Sequence, residues 1–150
     1  MEIYISSIIL PKFMILVSAC LLGKKVRYDG RGCPNQKVMA LEKTEKVLAV
    51  CPEIEAGLGI PRGPFELSCG KVIGKDGRDY TAEFARGAEI CLQKALKGNV
   101  KKAVLKQNSP SCGCGRVYDG TFSGRKVKGN GIFTALLKKN NIECVSEEEL

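Results

Sequence analysis

Three cysteines in this sequence each follow a short apolar run and precede residues typical of loops. Such runs are typical of strands buried on both faces of a parallel sheet, whose ligands bind beyond the carboxyl ends of the strands. The three thiols are therefore predicted to converge on one site, where thiolates can bind a metal or act in catalysis. They are Cys20 after ILVSA, Cys51 after VLAV and Cys112 in a turn-forming stretch after AVL.

The composition restricts the chemistry open to these thiols. The chain has eight cysteines and no histidine, so histidine is excluded both as a general base and as a metal ligand. It has no Cys-x-x-Cys pair, and its nearest thiols are Cys112 and Cys114, so the spacing of zinc ribbons and thioredoxin motifs is absent. Any base must be a carboxylate, a lysine or a thiolate. The alternative interpretation of the three thiols is core packing, a common fate of free cysteine.

Length and composition indicate one globular domain. A chain of 150 residues with 44% hydrophobic and 27% charged residues can bury a core of its own. It contains neither a run of about 20 apolar residues nor a secretory signal, which favours a cytoplasmic protein with reduced thiols and no membrane segment. The net charge of +8 is interpreted as a solvated basic face, with attraction of an anionic or nucleotide-like ligand as the alternative. The absence of a nucleic-acid-binding motif disfavours a nucleic-acid partner.

The elements that must position these residues follow from the hydrophobic periodicity. We predict an α/β fold: a single domain with a mostly parallel, Rossmann-like sheet, helices on both faces and long active-site loops. Residues 66–73 are predicted to form an outlying hairpin arm that turns at residues 75–77. Glycines and prolines over residues 52–64 argue against a regular helix there. The predicted core strands span residues 14–19, 47–50, 103–105 and 142–145, and the predicted helices span residues 35–43, 81–97 and 129–140.

The two ends of the chain are assigned outside this domain. Residues 1–13 are interpreted as an extension or a misassigned start, because the first core strand begins directly after them. Residues 14–146 form the predicted α/β domain, and residues 147–150 are a solvated tail. The cysteines outside the three loops, Cys69, Cys91 and Cys144, are assigned structural positions.

Six short motifs follow one another in a fixed order along the chain: VSACLLG at residues 17–23, RYDG at 27–30, CPE at 51–53, PR at 61–62, SPSCG at 109–113 and YDGTFSG at 118–124. This set resembles the DUF523 family of bacteria and archaea, whose members with an assigned activity are thiouracil desulfidases. The resemblance runs from Met14 to about Ser146. It implies an iron-sulfur-dependent, non-redox enzyme that removes sulfur from a thiolated pyrimidine resembling 2-thiouracil and releases the oxo base and sulfide.

The resemblance also implies roles for particular residues. Three cysteines of the family hold a 4Fe-4S cluster, and these match Cys20, Cys51 and Cys112. One iron then lacks a protein ligand and can accept the exocyclic sulfur of a small thiolated nucleobase. Glu53 is the expected general base, and Ser109 is expected to orient substrate or water. The residues assigned to substrate binding are Ser111, Asp29, Arg62 and Tyr118.

The competing interpretation is a non-catalytic zinc-binding or thiol redox α/β module. The missing histidines and the isolated spacing of the cysteines favour the iron-sulfur cluster. Cys33 and Cys114 lie close in sequence to Cys20 and Cys112, so the choice of ligands stays open at this point. The sequence specifies neither the physiological substrate nor the oligomeric state.

Overall fold

The computed structural model describes residues 13–150, which fold around a parallel sheet. In chain order its strands are β1 (Met14–Ser18), β2 (Lys46–Val50), β3 (Phe65–Ser68), β4 (Lys71–Gly74), β5 (Lys102–Leu105), β6 (Cys114–Tyr118), β7 (Lys126–Asn130) and β8 (Glu143–Ser146). Its helices are α1 (Gln36–Thr44), α2 (Pro52–Glu55), α3 (Thr81–Lys97) and α4 (Ile132–Lys139), with short 3-10 helices at Ala19–Leu22 and Glu147–Glu149. Apart from Phe13, the predicted extension lies outside the described residues.

Four parallel strands in the order β2-β1-β5-β8 form the centre of the fold, so the predicted fold class is confirmed. Leu16 packs on one face of the sheet in a cluster with Phe133 of α4 and residues of α3. Its neighbour Val17 packs on the other face with Val38 of α1. Successive residues of a strand point to opposite faces, so burial on both faces accounts for the continuous apolar run of β1. Within residues 13–150, no helix is both long enough and apolar enough to cross a membrane.

The hairpin of β3 and β4 turns at Cys69 and Gly70, a turn that the sequence did not predict, whereas the predicted turn at residues 75–77 is present after β4. Cys69 and Gly70 have φ values of 50° and 79°, the backbone geometry of a tight two-residue hairpin turn. Residues 75–77 form a separate turn after β4, in which the amide of Gly77 donates to the carbonyl of Gly74 at 2.9 Å. The thiol-bearing Cys69 is consequently exposed.

The helix predicted over residues 129–140 begins only at Ile132, because the residues before it pair with β6 as strand β7. Gly131 separates the two elements at a point of close approach, where a Cβ atom would overlap the backbone of Ser111. The amide of Phe133 donates to the carbonyl of Ser111 at 2.9 Å. The start of α4 is thereby docked against the loop that follows β5.

The segment after β8 also contacts that loop, so the prediction of a solvated tail was wrong for its first residue. The side chain of Glu147 is only 10% exposed and lies 3.1 Å from the ammonium of Lys106. It also accepts the backbone N–H of Gln107 at 2.7 Å. Next to it, Glu148 accepts two hydrogen bonds from Arg116, at 3.0 and 2.9 Å. The segment therefore contacts both the start of the loop after β5 and strand β6, which follows that loop.

Gly87 of α3 allows this helix to lie directly against α2, because a Cβ atom there would overlap the carbonyl oxygen of Pro52. We expect Gly87→Ala to lower the free energy of unfolding by about 1–3 kcal/mol, the usual cost of overpacking. Thermal unfolding should show this as a loss of several degrees in Tm. Gly63→Ala is the control, since a Cβ atom there meets nothing within 4 Å. A parental Tm for Gly87→Ala would contradict the prediction.

Candidate active site

The carboxyl ends of β1, β2 and β5 open onto a cavity of about 380 Å³. It lies at a topological switch point of the sheet, because the chain leaves β1 towards β2 on one side and returns to β5 on the other. Ligands of open parallel sheets bind at such points. Eight residues predicted for the site line the cavity: Cys20, Cys51, Cys112, Glu53, Ser109, Ser111, Arg62 and Tyr118.

Burial raises the pKa of all three cavity thiols. It raises the pKa of Cys20 to about 12, and the neighbouring thiols of Cys33 and Cys51 add to this increase. Burial is also the main cause of the raised pKa of Cys51. The pKa of Cys112 lies well above its ordinary value, mainly through burial and further through Cys51 and Cys20. A thiolate at Cys51 would disfavour ionisation of both Cys20 and Cys112, since like charges repel.

The side chains around the cavity bear on which metal group the site could hold. Among residues 13–150, no group of three or more His, Cys, Asp or Glu side chains is arranged to hold one ion. Three cysteines around one cavity nevertheless supply the soft thiolate ligands that iron-sulfur clusters use. The donor set around the cavity therefore fits an iron-sulfur cluster.

The other cysteines near this region do not line the cavity. The amide of Cys33 donates to the carbonyl of Cys20 at 2.8 Å, which places Cys33 beside the first thiol but outside the cavity lining. Cys114 is buried in the cluster formed by the sheet, α3 and α4. Cys91 is fully buried in the same cluster, as predicted for a core residue.

Glu53 is held at both of its carboxylate oxygens. Its side chain is 11% exposed, and Oε1 accepts from Nε of Arg62 at 2.8 Å. Its Oε2 accepts from the hydroxyl of Ser111 at 3.0 Å. Glu53 lies in the short helix α2, which starts at Pro52 in place of the irregular loop predicted from sequence. Proline is well tolerated at the first position of a helix, where no backbone donor is needed.

Arg62, predicted to bind substrate, directs its guanidinium group to other parts of the protein. Besides its bond to Glu53, it donates from Nη1 to the carbonyl of Gly59 and from Nη2 to the carbonyl of Val26, both at 2.8 Å. The side chain is only 5% exposed. Arg62 therefore positions Glu53, while its surface still forms part of the cavity wall.

Ser109 and Ser111 extend the hydrogen-bond chain that begins at Glu53. A hydroxyl group has one proton to donate. Because Ser111 donates to Glu53, the 3.0 Å bond between the two hydroxyl groups must have Ser109 as its donor. Ser109 in turn accepts the amides of Ser111 and Cys112, at 3.2 and 3.1 Å. The hydroxyl of Ser109 is thus linked through Ser111 to the carboxylate.

The structure does not bring Asp29 to the cavity. Asp29 is exposed and absent from the cavity lining, and its carboxylate accepts the amide of Arg31 at 3.0 Å within its own turn. Its assignment to substrate binding therefore gains no support. Tyr118 does line the cavity, and Nζ of Lys126 lies 5.7 Å from the centroid of its ring.

Further polar residues lie at the cavity without having been predicted from the sequence. The hydroxyl of Ser18 accepts the amide of Lys106 at 3.0 Å and so bridges the ends of β1 and β5. The side-chain oxygen of Gln107 accepts the amides of Cys114 and Arg116, at 2.9 and 3.2 Å. These two bonds close the loop that runs from Gln107 to Cys114. The sequence signal that could have identified Ser18 and Gln107 is a polar residue at or just beyond the end of an apolar run. Glu66, assigned only to a hairpin arm, also lines the cavity.

The chain is similar to known proteins over most of its length. A sequence model described as 2-thiouracil desulfurase matches residues 15–149. The uncharacterized protein YbbK of Bacillus subtilis (strain 168) is 40% identical over 147 residues, which cover 91% of this chain and 97% of that protein. A solved structure described as a 4Fe-4S-dependent thiouracil desulfidase, TudS, is 45% identical with a TM-score of 0.87, covering 93% of each chain.

We expect Arg62→Gln to destabilise the protein, because it leaves the carboxylate of Glu53 nearly buried without its cation. The expected loss in the free energy of unfolding is about 3–5 kcal/mol, measured by urea denaturation. The double variant Glu53→Gln/Arg62→Gln should lose less free energy of unfolding than the two single variants together. The difference should be at least about 1 kcal/mol, because the two residues are coupled.

A surface ion pair beside this site provides the control. Lys94 lies 2.6 Å from Glu55 of α2, and their side chains are 47% and 31% exposed. Lys94→Gln should change the free energy of unfolding by less than about 1 kcal/mol. Strictly additive effects at Glu53 and Arg62 would show that the buried pair contributes no coupling energy.

Proposed function

Because the chain belongs to the 2-thiouracil desulfurase family, we propose that it is an iron-sulfur-dependent desulfidase acting on a small thiolated pyrimidine such as 2-thiouracil. The observation that carries the proposal is the cavity itself, where three thiols lie beside a carboxylate held by Arg62 and Ser111. The reaction is a hydrolysis without net oxidation or reduction. The carbon–sulfur double bond is replaced by a carbon–oxygen double bond, and water and the thiolated base become the oxo base and hydrogen sulfide.

Cys20, Cys51 and Cys112 are the proposed ligands of a 4Fe-4S cluster. Held by these three cysteines, the cluster would supply a Lewis acid for the exocyclic sulfur and would make the carbon bearing it easier to attack. The lining of the cavity supports this choice, since neither Cys33 nor Cys114 contributes to it. Eight free thiols and a cluster of this kind suit the reducing conditions of the cytoplasm.

Glu53 is the proposed general base. Its carboxylate accepts a proton from the attacking water while the water oxygen bonds to the carbon, and the same proton can later pass to the departing sulfur. Arg62 and Ser111 fix the two carboxylate oxygens, so the base is oriented before substrate arrives. The chain contains no histidine to take this role.

Ser109 is proposed to act on Glu53 through Ser111, since its one proton goes to Ser111 and its oxygen accepts two amides; the role in orienting water or substrate expected from sequence requires one of these bonds to be exchanged. Its hydroxyl is anchored by two backbone amides of its own turn, so it has a fixed direction at the cavity wall. A change in what Ser109 contacts is transmitted along the hydrogen bonds to the carboxylate. Tyr118 remains a proposed substrate contact on the strength of its place in the lining.

We expect protein purified anaerobically to contain about four iron and four sulfide per chain, and Cys→Ser at position 20, 51 or 112 to remove most of both. Each of these changes deletes one proposed ligand. Cys69→Ser at an exposed turn and Cys91→Ser in the core are the controls and should retain iron. Iron and sulfide analysis with absorption spectroscopy measures the result. Stoichiometric zinc in place of iron would support the zinc-binding module.

We expect Glu53→Gln to retain the fold and the cluster but to lose turnover by ~10²-fold or more, the usual scale for removal of a general base. The amide has nearly the shape of the carboxylate but cannot take up the proton. Sulfide release from 2-thiouracil is measured after the iron content of each protein is matched. Glu55→Gln changes a surface carboxylate of the same short helix and should keep parental activity. Parental release by loaded Glu53→Gln would remove Glu53 from the mechanism.

A further inference from the structure

Glu66 is a second carboxylate in the cavity wall, and the mechanism above gives it no role. It lies in β3, is 9% exposed and lines the same cavity as Glu53. Glu53 has Arg62 as its cation, whereas within residues 13–150 no lysine or arginine forms an ion pair with Glu66. Since an isolated carboxylate is costly to bury, Glu66 needs hydrogen-bond donors to offset its desolvation.

The protein supplies donors to one oxygen of Glu66. Its Oε1 accepts the backbone amides of Gly120 and Phe122, at 3.0 and 3.1 Å. Its Oε2 has no donor in the part of the chain that the structure describes, although each carboxylate oxygen can accept about two hydrogen bonds. Oε2 is also not sealed inside the protein, because residues 13–150 contain no fully buried side-chain oxygen without a partner. An accessible acceptor is therefore available at the cavity wall.

The backbone around Glu66 fixes the direction of this acceptor. The two amides that hold Oε1 belong to the loop between β6 and β7, whose ends contribute Tyr118 and Gly124 to the cavity lining. Gly120 of this loop has a φ of 94°, and a Cβ atom there would lie 2.7 Å from the carbonyl oxygen of Leu67. The loop thus rests on the backbone of β3, and Glu66 is clamped between them.

We propose that Oε2 of Glu66 accepts a hydrogen bond from a ring N–H of the thiolated pyrimidine and so determines which pyrimidines the cavity takes. This inference rests on the proposed function. In 2-thiouracil both nitrogens beside the sulfur-bearing carbon carry hydrogen. Substitution of the contacted nitrogen removes the donor and sets a methyl group or a sugar against a carboxylate. Sites built around a buried polar contact reject analogues that lack its partner. The cavity therefore selects pyrimidine bases that carry a hydrogen on the contacted nitrogen.

Glu66→Gln tests the contact while keeping the clamp. Its side-chain oxygen can still accept the two loop amides, which orients the new NH₂ group into the cavity, where it offers a donor instead of an acceptor. Calorimetric titration of the cluster-loaded protein should show weaker binding of both 2-thiouracil and uracil, by about 10- to 100-fold, the scale of a hydrogen bond to a charged group. Uracil carries the same ring N–H groups but no sulfur, so its binding reports on Glu66 independently of iron.

Methylated ligands separate recognition from a structural role. The parent protein should bind either 1-methyl- or 3-methyl-2-thiouracil at least about 10-fold more weakly than 2-thiouracil, and Glu66→Gln should lose this discrimination. Hydrogen exchange at the amides of Gly120 and Phe122 should be parental in Glu66→Gln and faster in Glu66→Ala. Glu89→Gln on the exposed side of α3 is the control and should bind as the parent does. Retained discrimination in Glu66→Gln, or an equal loss for all ligands with faster exchange, would overturn the proposal.

Sulfide release by the parent tests the proposed function separately. If the parent releases no sulfide from 2-thiouracil but binds pyrimidines in a way that depends on Glu66, the desulfidase proposal fails and the contact stands. If the parent releases sulfide and Glu66→Gln binds all ligands as the parent does, the contact fails and the function stands. A parent that binds neither pyrimidine overturns both.

Discussion

The buried ion pair between Glu53 and Arg62 joins the segments that follow three different strands. Glu53 belongs to the segment after β2, Arg62 donates to the carbonyl of Val26 after β1, and Ser111 after β5 donates to Glu53. Because the pair is nearly buried, separating its members would leave charges without compensation. The three segments therefore share one source of stability, which fixes the walls of the cavity relative to one another.

Close backbone packing holds this network from outside the cavity. Because Gly87 has no side chain, α3 can lie against the helix that carries Glu53. In the same way, Gly131 lets the start of α4 lie against Ser111. On a third side, Glu147 holds the amide of Gln107. Each contact comes from an element that contributes no residue to the cavity lining. Elements outside the cavity thus pack directly against the residues that form its wall.

The sequence was informative about strands and about which side chains gather at their ends, and less so about how those side chains contact one another. Apolar runs ending at Cys20, Cys51 and Cys112 predict one sheet edge because burial on both faces leaves a clear pattern. Contacts between distant segments leave no such pattern. The bond from Gly120 to Glu66 spans 54 residues, and nothing local marks Glu66 as a cavity residue. The resemblance of the motif RYDG to the family predicts Asp29 as a substrate contact. In the structure, its carboxylate instead accepts a backbone amide of its own turn.

Burial of the three cavity thiols also affects their reactivity. The pKa of Cys20 is raised to about 12 and those of Cys51 and Cys112 are raised as well, mainly by burial, so these thiols resist ionisation. Oxidants react with the thiolate, so the raised pKa values slow oxidation of these thiols. Thiols must lose their protons to bind iron, so under the proposed ligation cluster assembly releases protons and is favoured by higher pH.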